Sequence, residues 1–373
     1  MTRIEPLKKH LYLVDERNAD LITDRVLGIN IDKYFMPSVA NIIGTDLSKY
    51  KLIKKGLFAC NPMHVGRDER LPVALFDDEA PALVSPAYFM FRIKDSSVLN
   101  EEYLMMWFRR PEFDHQCWIK TDGSVRGGIT WDDICRLEIP VIPYQEQIKL
   151  VKQYQVVTDR IALKQKINDN LAKIIDVIFE QTVLNNTTKK LVSFTDIVDL
   201  MGGGTPDTTE REYWGGSVLF FTPKDITDSP FCMKTEKHLS ELGLKNCSSR
   251  LYPRFTTFVT CRGTVGNISM AGEPMAMNQS CYAIKCKHDY SPFFTYAFSK
   301  YVIATMKRKA SGAVFNALVT KDFEMEKIYL PDPNCIREFD RKVLPMFNAI
   351  LSNTKEIVEL SSMAQLLLKQ LSH

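Results

Sequence analysis

The side chains of this 373-residue chain best placed for chemistry are of types that bind rather than react. Two segments, Asn61-Pro-Met-His-Val-Gly-Arg67-Asp-Glu-Arg70 and Thr260-Cys-Arg262-Gly-Thr-Val-Gly-Asn267, each place arginine and glycine just after a strand-like run. Glycine allows close approach of a backbone, and arginine can fork onto guanine or phosphate. Thr222-Pro-Lys224-Asp and Asn278-Gln279-Ser280 add hydroxyls and amides, groups that read adenine edges or hold phosphates. The cluster Ser48-Lys-Tyr-Lys-Leu-Ile-Lys54-Lys55 and two glycine loops, 121–126 and 309–316, complete the set. The candidate DNA contacts are therefore Lys54, Lys55, Arg67, Arg70, Arg126, Thr222, Lys224, Arg262, Asn267, Asn278, Gln279 and Ser311. Taken singly, each is equally an ordinary surface residue. The case rests on their recurrence in the same order in both halves.

The motifs of catalysis do not appear. No GxxxxGK[ST] frame exists for a nucleotide phosphate, and Gly202-Gly-Gly-Thr-Pro206 lacks the GxGxxG spacing and reads as a turn. Asn61-Pro62-Met63-His64 falls short of the Asn/Asp-Pro-Pro-Tyr/Phe of amino-methylation. No Glu is followed two places later by Lys, as a common nuclease centre requires, and nothing matches GxSxG or HExxH. The expectation is a chain without a catalytic, cofactor or metal site.

Composition agrees with a globular protein: 45% hydrophobic, 25% charged, net charge +3. So small an excess of positive charge means that any DNA-binding surface must concentrate it locally or share it with a partner. The nine cysteines have neither CxxC nor zinc-finger spacing, which predicts reduced thiols. No apolar run approaches the roughly 20 residues of a membrane span. The first ten residues lack a secretory apolar region, so a cytoplasmic location is expected.

The elements that must position these loops come in two copies. Gly123–Ile134 lies over Gly312–Phe323, and each stretch then runs through a short apolar strand into proline, at Pro143 and Pro331. Upstream, Phe58–Gly66 corresponds to Phe258–Gly266 and Tyr88 to Tyr282. Strands are expected at 87–93, 217–222 and 256–260, and helices at 101–109 and 292–309. From Gln145 to about Val183 no Pro or Gly interrupts a stripe that includes Ile148, Val151, Val157, Ile161, Ile167, Leu171 and Ile175. A second stripe runs through Val343, Phe347, Ile350, Ile357, Leu360, Ala364 and Leu367; Pro345 predicts that this helix starts near Leu344 or bends there. Roughly 35 helical residues span about 50 Å.

The predicted fold class is α/β (α+β): two globules of mixed sheet with two long antiparallel helices, in a pseudo-two-fold repeat. The boundaries are 1–144 and 186–333 for the globules and 145–185 and 334–373 for the helices. An alternative has each helix packing onto its own globule.

Gly203-Gly-Thr-Pro206, Glu212-Tyr-Trp-Gly-Gly216, Val218-Leu-Phe-Phe-Thr-Pro-Lys-Asp225, Arg262-Gly-Thr-Val-Gly266 and Asn278-Gln-Ser280 together resemble the specificity (S) subunits of type I restriction–modification systems. Ile139-Pro-Val-Ile-Pro-Tyr-Gln-Glu-Gln147, leading into the long helix, adds to the resemblance. The first half departs from it around residues 24–37, where the Gly-Gly-Thr-Pro and Tyr-Trp elements are missing. The resemblance implies two target recognition domains, each reading half of a split duplex-DNA sequence, with the helices as a spacer. It implies two modification subunits as partners, which bind S-adenosylmethionine and methylate adenine. It also implies restriction subunits, which use ATP and Mg, and no cofactor in this chain. A free-standing sequence-specific DNA-binding regulator is the alternative.

Overall fold

Short runs of β-branched and aromatic residues form strands on both sides of a 36-residue helix, Tyr144–Phe179. The computed structural model describes residues 3–40, 43–63, 65–121, 127–185, 189–309 and 317–371. They fall into two units, Met1–Asp159 with Ser361–His373, and Arg160–Leu360. Among the described residues no helix is long and apolar enough to cross a membrane.

The first unit contains β1 (Arg3–Pro6), β2 (Leu11–Leu13), β3 (Leu27–Ile29), β4 (Phe35–Pro37), β5 (Lys51–Ile53), β6 (Phe58–Cys60), β7 (Val73–Leu75), β8 (Ala82–Val84), β9 (Phe89–Ile93) and β10 (Glu138–Val141). Its main sheet has the order β2–β9–β6–β7, antiparallel throughout, while β5 pairs with β8, β3 with β4 and β1 with β10. Phe58 and Phe91 stack across β6 and β9 at 5.2 Å. Phe108, on the helix Glu101–Phe108, meets Phe58 edge-on at 6.0 Å. That helix starts at Asn100, whose side chain accepts from the Tyr103 amide at 3.1 Å.

The second unit contains β11 (Lys189–Ser193), β12 (Val198–Gly202), β13 (Trp214–Phe221), β14 (Phe231–Cys232), β15 (Lys237–Leu239), β16 (Thr257–Thr260), β17 (Ile268–Ala271), β18 (Met275–Met277), β19 (Cys281–Cys286) and β20 (Lys327–Pro331). The main sheet, β12–β19–β16–β17–β14, has the same order of pairings as the first unit with one strand added. A second sheet places β13 between antiparallel β15 and parallel β18, and β11 closes on β20. The expected repeat and fold class are therefore borne out in the topology. The helix Pro292–Lys309 has the bounds its sequence predicts.

The second long helix is Pro333–Gln370, so it does not begin near Leu344. Pro345 removes one amide donor and frees the carbonyl of Arg341, but both residues are exposed, so water can replace the lost bond. On the opposite face Phe339, Val343, Phe347 and Ile350 are fully buried in the second unit's core and hold the helix through the proline. Ile175, Phe179 and Val183 of the first long helix join the same core, where Phe293 stacks on Phe347 at 4.6 Å. The second long helix thus packs onto its own globule, as the alternative has it, whereas this part of the first helix packs into the core of the following one.

Between residues 160 and 171 the two helices meet in antiparallel register, and polar groups dominate. Arg160 and Lys164 both pair with Glu356, the latter at 2.7 Å. Asn168 is buried, accepts from Asn353 at 2.9 Å and donates to Thr354 at 3.4 Å. Asn168 thus takes the seam position that the apolar pattern had assigned to Ile167, which is exposed. A pair seam advances by 3.5 residues per turn, so the inward stripe passes through 161, 164, 168, 171 and 175 rather than through 167.

The first unit clamps the start of its helix with Gln147, which is fully buried. Its amide donates to Val98 O at 2.9 Å and Ile142 O at 2.8 Å, and its oxygen accepts from the Asn100 amide at 2.9 Å. A second buried polar device joins Lys33 to Asp114 at 2.6 Å. Lys33 also donates to Leu71 O (2.9 Å), and Asp114 accepts from Leu71 N (3.0 Å). Burial pulls the Lys33 ammonium below its usual range, while the charge of Asp114 pulls the other way.

Removing one member of a buried pair leaves the other uncompensated. Asp114→Ala should therefore cost the first unit about 3–5 kcal/mol in urea unfolding. Glu356 is held below its usual 4.5, first by its hydrogen bond with Lys164 and then by Arg160. A carboxylate with a depressed folded pKa stabilises above its unfolded value and loses that contribution as pH falls through the folded one. Thermal stability followed from pH 6 down to about pH 3 should drop less steeply in Glu356→Gln than in the parent chain.

Candidate nucleic-acid interface

Strand direction in the second unit brings four separate stretches out at one end of its sheets. β13 and β18 run parallel, Leu219–Phe221 beside Met275–Met277, so they finish side by side. Thr222–Asp225 follows one and Asn278–Ser280 the other, and the Asn278 amide donates to Phe221 O at 2.9 Å. β16 ends at Thr260, opposite Cys281 at the start of β19. Residues 261–267 therefore leave at this same end, with the Cys261 amide on Ser280 O at 2.7 Å. β12 ends at Gly202 opposite Tyr282, delivering Gly203, Gly204 and Thr205, and the Gly204 amide reaches Met277 O at 3.1 Å.

The two glycines are needed for that approach. A Cβ on Gly203 would lie 2.2 Å from Asn278 O, and one on Gly204 would lie 2.1 Å from Ser248 Oγ. The turn after β13 is shaped by Asp225, which is buried. Its carboxylate accepts from the Thr222 hydroxyl and amide and from the Glu236 amide, each at 2.7 Å. The Thr222 hydroxyl therefore gives its proton to Asp225 and offers a ligand only lone pairs. It cannot at the same time donate to a phosphate, one of the two roles expected of it. Lys224, at the tip of the turn, is exposed.

Arg262, Asn267 and Gln279 are also exposed at this end. The Thr205 hydroxyl bonds the carbonyl oxygen of Gln279, leaving its NH2 group as donor. The Asn278 oxygen accepts from the Ser280 amide at 3.1 Å. Among the described residues neither Lys224 nor Arg262 meets a carboxylate. The interior of the loop is neutral: burial pushes the Cys261 thiol up to about 12.

The structure therefore gathers six of the twelve sequence candidates: Thr222, Lys224, Arg262, Asn267, Asn278 and Gln279. In the first unit it divides them. Lys54 and Lys55 precede β6, whereas Arg67 and Arg70 lie in the segment that follows it, at the other end of the strand. All four sit beside acids: Lys54 on Glu16, Lys55 on Glu79, Arg67 on Asp68 at 2.6 Å and Arg70 on Asp32 at 3.3 Å. Arg126 and Ser311 lie outside the described residues. Their described flanks return to the arginine loops in both units, with Gly66 N on Gly127 O at 3.0 Å and Leu318 N on Cys261 O at 3.0 Å.

Thr205 was missing from the sequence candidates. The signal was present in Gly203-Gly204-Thr205-Pro206, where adjacent glycines ahead of a proline mark close backbone approach as well as a turn. Gly203→Ala must push residue 203 away from residues 277–278. It should lower stability by about 1–3 kcal/mol and shift the amide NMR signals of 278–280, with those of the first unit unchanged.

Residues 186–356 match the type I restriction modification DNA specificity domain. The chain is 30% identical over 165 residues to the type I restriction enzyme MjaIX specificity subunit of Methanocaldococcus jannaschii, covering 43% of this chain and 38% of that one. It is 31% identical over 186 residues to the HindI specificity subunit of Haemophilus influenzae, covering 49% of this chain and 40% of that one. The matches thus span about two-fifths of the length of these curated relatives. The crystal structure of the type I restriction–modification S subunit from M. genitalium has the same fold, with a TM-score of 0.60 at 14% identity over 100% of this chain and 96% of that one. Residues 186–356 are thus similar to a type I restriction modification DNA specificity domain, and the chain shares along its length the fold of that solved S subunit.

Proposed function

We propose that this chain reads a split duplex-DNA target as the non-catalytic recognition subunit of a type I restriction–modification complex. Residues 1–144 and 186–333 are the two reading domains in this proposal, and the long helices set the gap between half-sites. One observation carries it. In the second unit, Thr205, Lys224, Arg262, Asn267 and Gln279 converge at one end of the sheets, and among the described residues the two cations have no carboxylate beside them. Unneutralised cations suit phosphates, and the arginine and amides suit base edges.

The first unit would bind less readily by itself, because a phosphate reaching Arg67 or Arg70 has to displace Asp68 or Asp32. That favours a partner that supplies further positive charge. The first long helix offers a place for one: Leu163, Ile167, Ile174 and Val177 are exposed, with spacings that suit a packed helix. Modification subunits carrying S-adenosylmethionine are the proposed partners, with restriction subunits carrying ATP and Mg as further ones. The chemistry would be theirs.

Co-expression with the adjacent modification-type subunit, followed by sequencing of methylated adenines, tests the reading. The expected result is a gapped motif that disappears when this chain is deleted. Methylation unchanged by the deletion overturns the proposal, and tight sequence-specific binding by the chain alone supports a free-standing regulator instead. Arg262→Ala should cost about 1–3 kcal/mol and relax one position of a single half-site. Lys224→Ala should weaken all sequences alike and reduce the salt slope by about 1.

A further inference from the structure

The second unit has another concentration of positive charge, at the end of the sheet away from the reading loops. β16 and β19 pair Thr257 with Ile284 at one end and Thr260 with Cys281 at the other. Phe255 and Thr256 lead into β16, Cys286 ends β19 and His288 follows it, so they lie at the end opposite residues 261–267 and 278–280. A cavity of about 420 Å³ opens there, lined by Arg250, Arg254, Lys285, His288, Phe255 and Tyr290 among others.

The lining contains four basic residues and no carboxylate. The cavities around Arg70, Arg109, Asp225 and Lys54 each include acidic side chains. Asp199, which faces Lys285 across β12 and β19, is engaged by Lys287 at 3.6 Å. Arg254 lies over the Phe255 ring at 4.7 Å, and its Nε is buried without a hydrogen-bond partner among the described residues. Phe255 itself has φ +69°, a conformation rare for a bulky residue, and is held there by its amide on Ala271 O at 2.8 Å. The corresponding turn of the first unit has Lys54, Lys55 and Arg92 in a cavity with Glu16 and Glu79, and the acids take up both lysines. The second copy's cavity has no acid in its lining to do the same.

We infer that this cavity binds a phosphate-bearing nucleotide, its phosphate on Arg250, Arg254 and Lys285 and its base against Phe255 and Tyr290. An acceptor-only anion satisfies the arginine donors, and a flat ring fits aromatic walls in a space of this size. The site is separate from the reading end and does not depend on the function proposed above.

Calorimetric titration of the full chain with AMP and UMP tests it, with a short duplex as competitor. The expected result is saturable mononucleotide binding, weakened about tenfold or more by Arg254→Met and by Lys285→Met and unchanged by Arg262→Ala. Because Lys285 is exposed, its variant keeps the test valid if Arg254→Met folds poorly. Competition by the duplex, with Lys285→Met weakening both ligands, would identify the phosphate source as DNA backbone and overturn a free nucleotide. Absence of binding at millimolar nucleotide, or binding unchanged in both variants, overturns the site.

Discussion

The parallel pairing of β13 with β18 is the constraint on which the second unit's interface depends. Two antiparallel neighbours joined by a hairpin would deliver the segments that follow them to opposite ends. Parallel neighbours deliver them to the same end, and so Thr222–Asp225 and Asn278–Ser280 emerge together although more than fifty residues separate them in the chain. The antiparallel pairings of β19 with β16 and with β12 then add residues 261–267 and Gly203–Thr205 from either side. The interface is thus a product of strand direction, helped by two glycines at the crossing and by Gly263 and Gly266, both at positive φ, in the arginine loop.

Buried polar groups do the fine positioning. Asp225, Gln147 and the Lys33–Asp114 pair each gather main-chain donors or acceptors from segments distant in sequence. A buried polar group without partners is costly, so each residue permits only the arrangement that satisfies it. In Asp225 this has a chemical consequence: shaping the turn consumes the hydroxyl proton of Thr222 and leaves Lys224 as the donor at the tip. Asn168 with Asn353 and Thr354 works in the same way inside the helix pair, where an apolar residue would have packed with less specificity.

The two copies differ more in electrostatics than in topology. Both have the same order of central strands, yet Lys54, Lys55, Arg67 and Arg70 of the first unit each meet an acid, while among the described residues Lys224 and Arg262 of the second do not. A net charge of +3 for the whole chain does not reveal how cations and acids are paired in each copy. Self-neutralised cations release less on meeting a phosphate, so the two copies are not equivalent surfaces for an anion.

The sequence by itself determined the repeat, the strands and helices within it, the long helix after Pro143 and the motifs that resemble those of type I specificity subunits. Each of these rests on residues close together in the chain: alternating apolar runs, a helical stripe, glycine beside proline. Only the tertiary structure decided which candidates share a surface. It united Thr205 with Gln279, separated Lys54 and Lys55 from Arg67 and Arg70, and carried a helix through Pro345 because the opposite face is buried. It also placed Asn168 rather than Ile167 in the seam, since a 3.5-residue advance is imposed by the partner helix and cannot be read from one stripe alone. Charge pairing was hidden for the same reason: Arg70 meets Asp32 and Lys54 meets Glu16 across strands, and no local pattern records which acid folds onto which base.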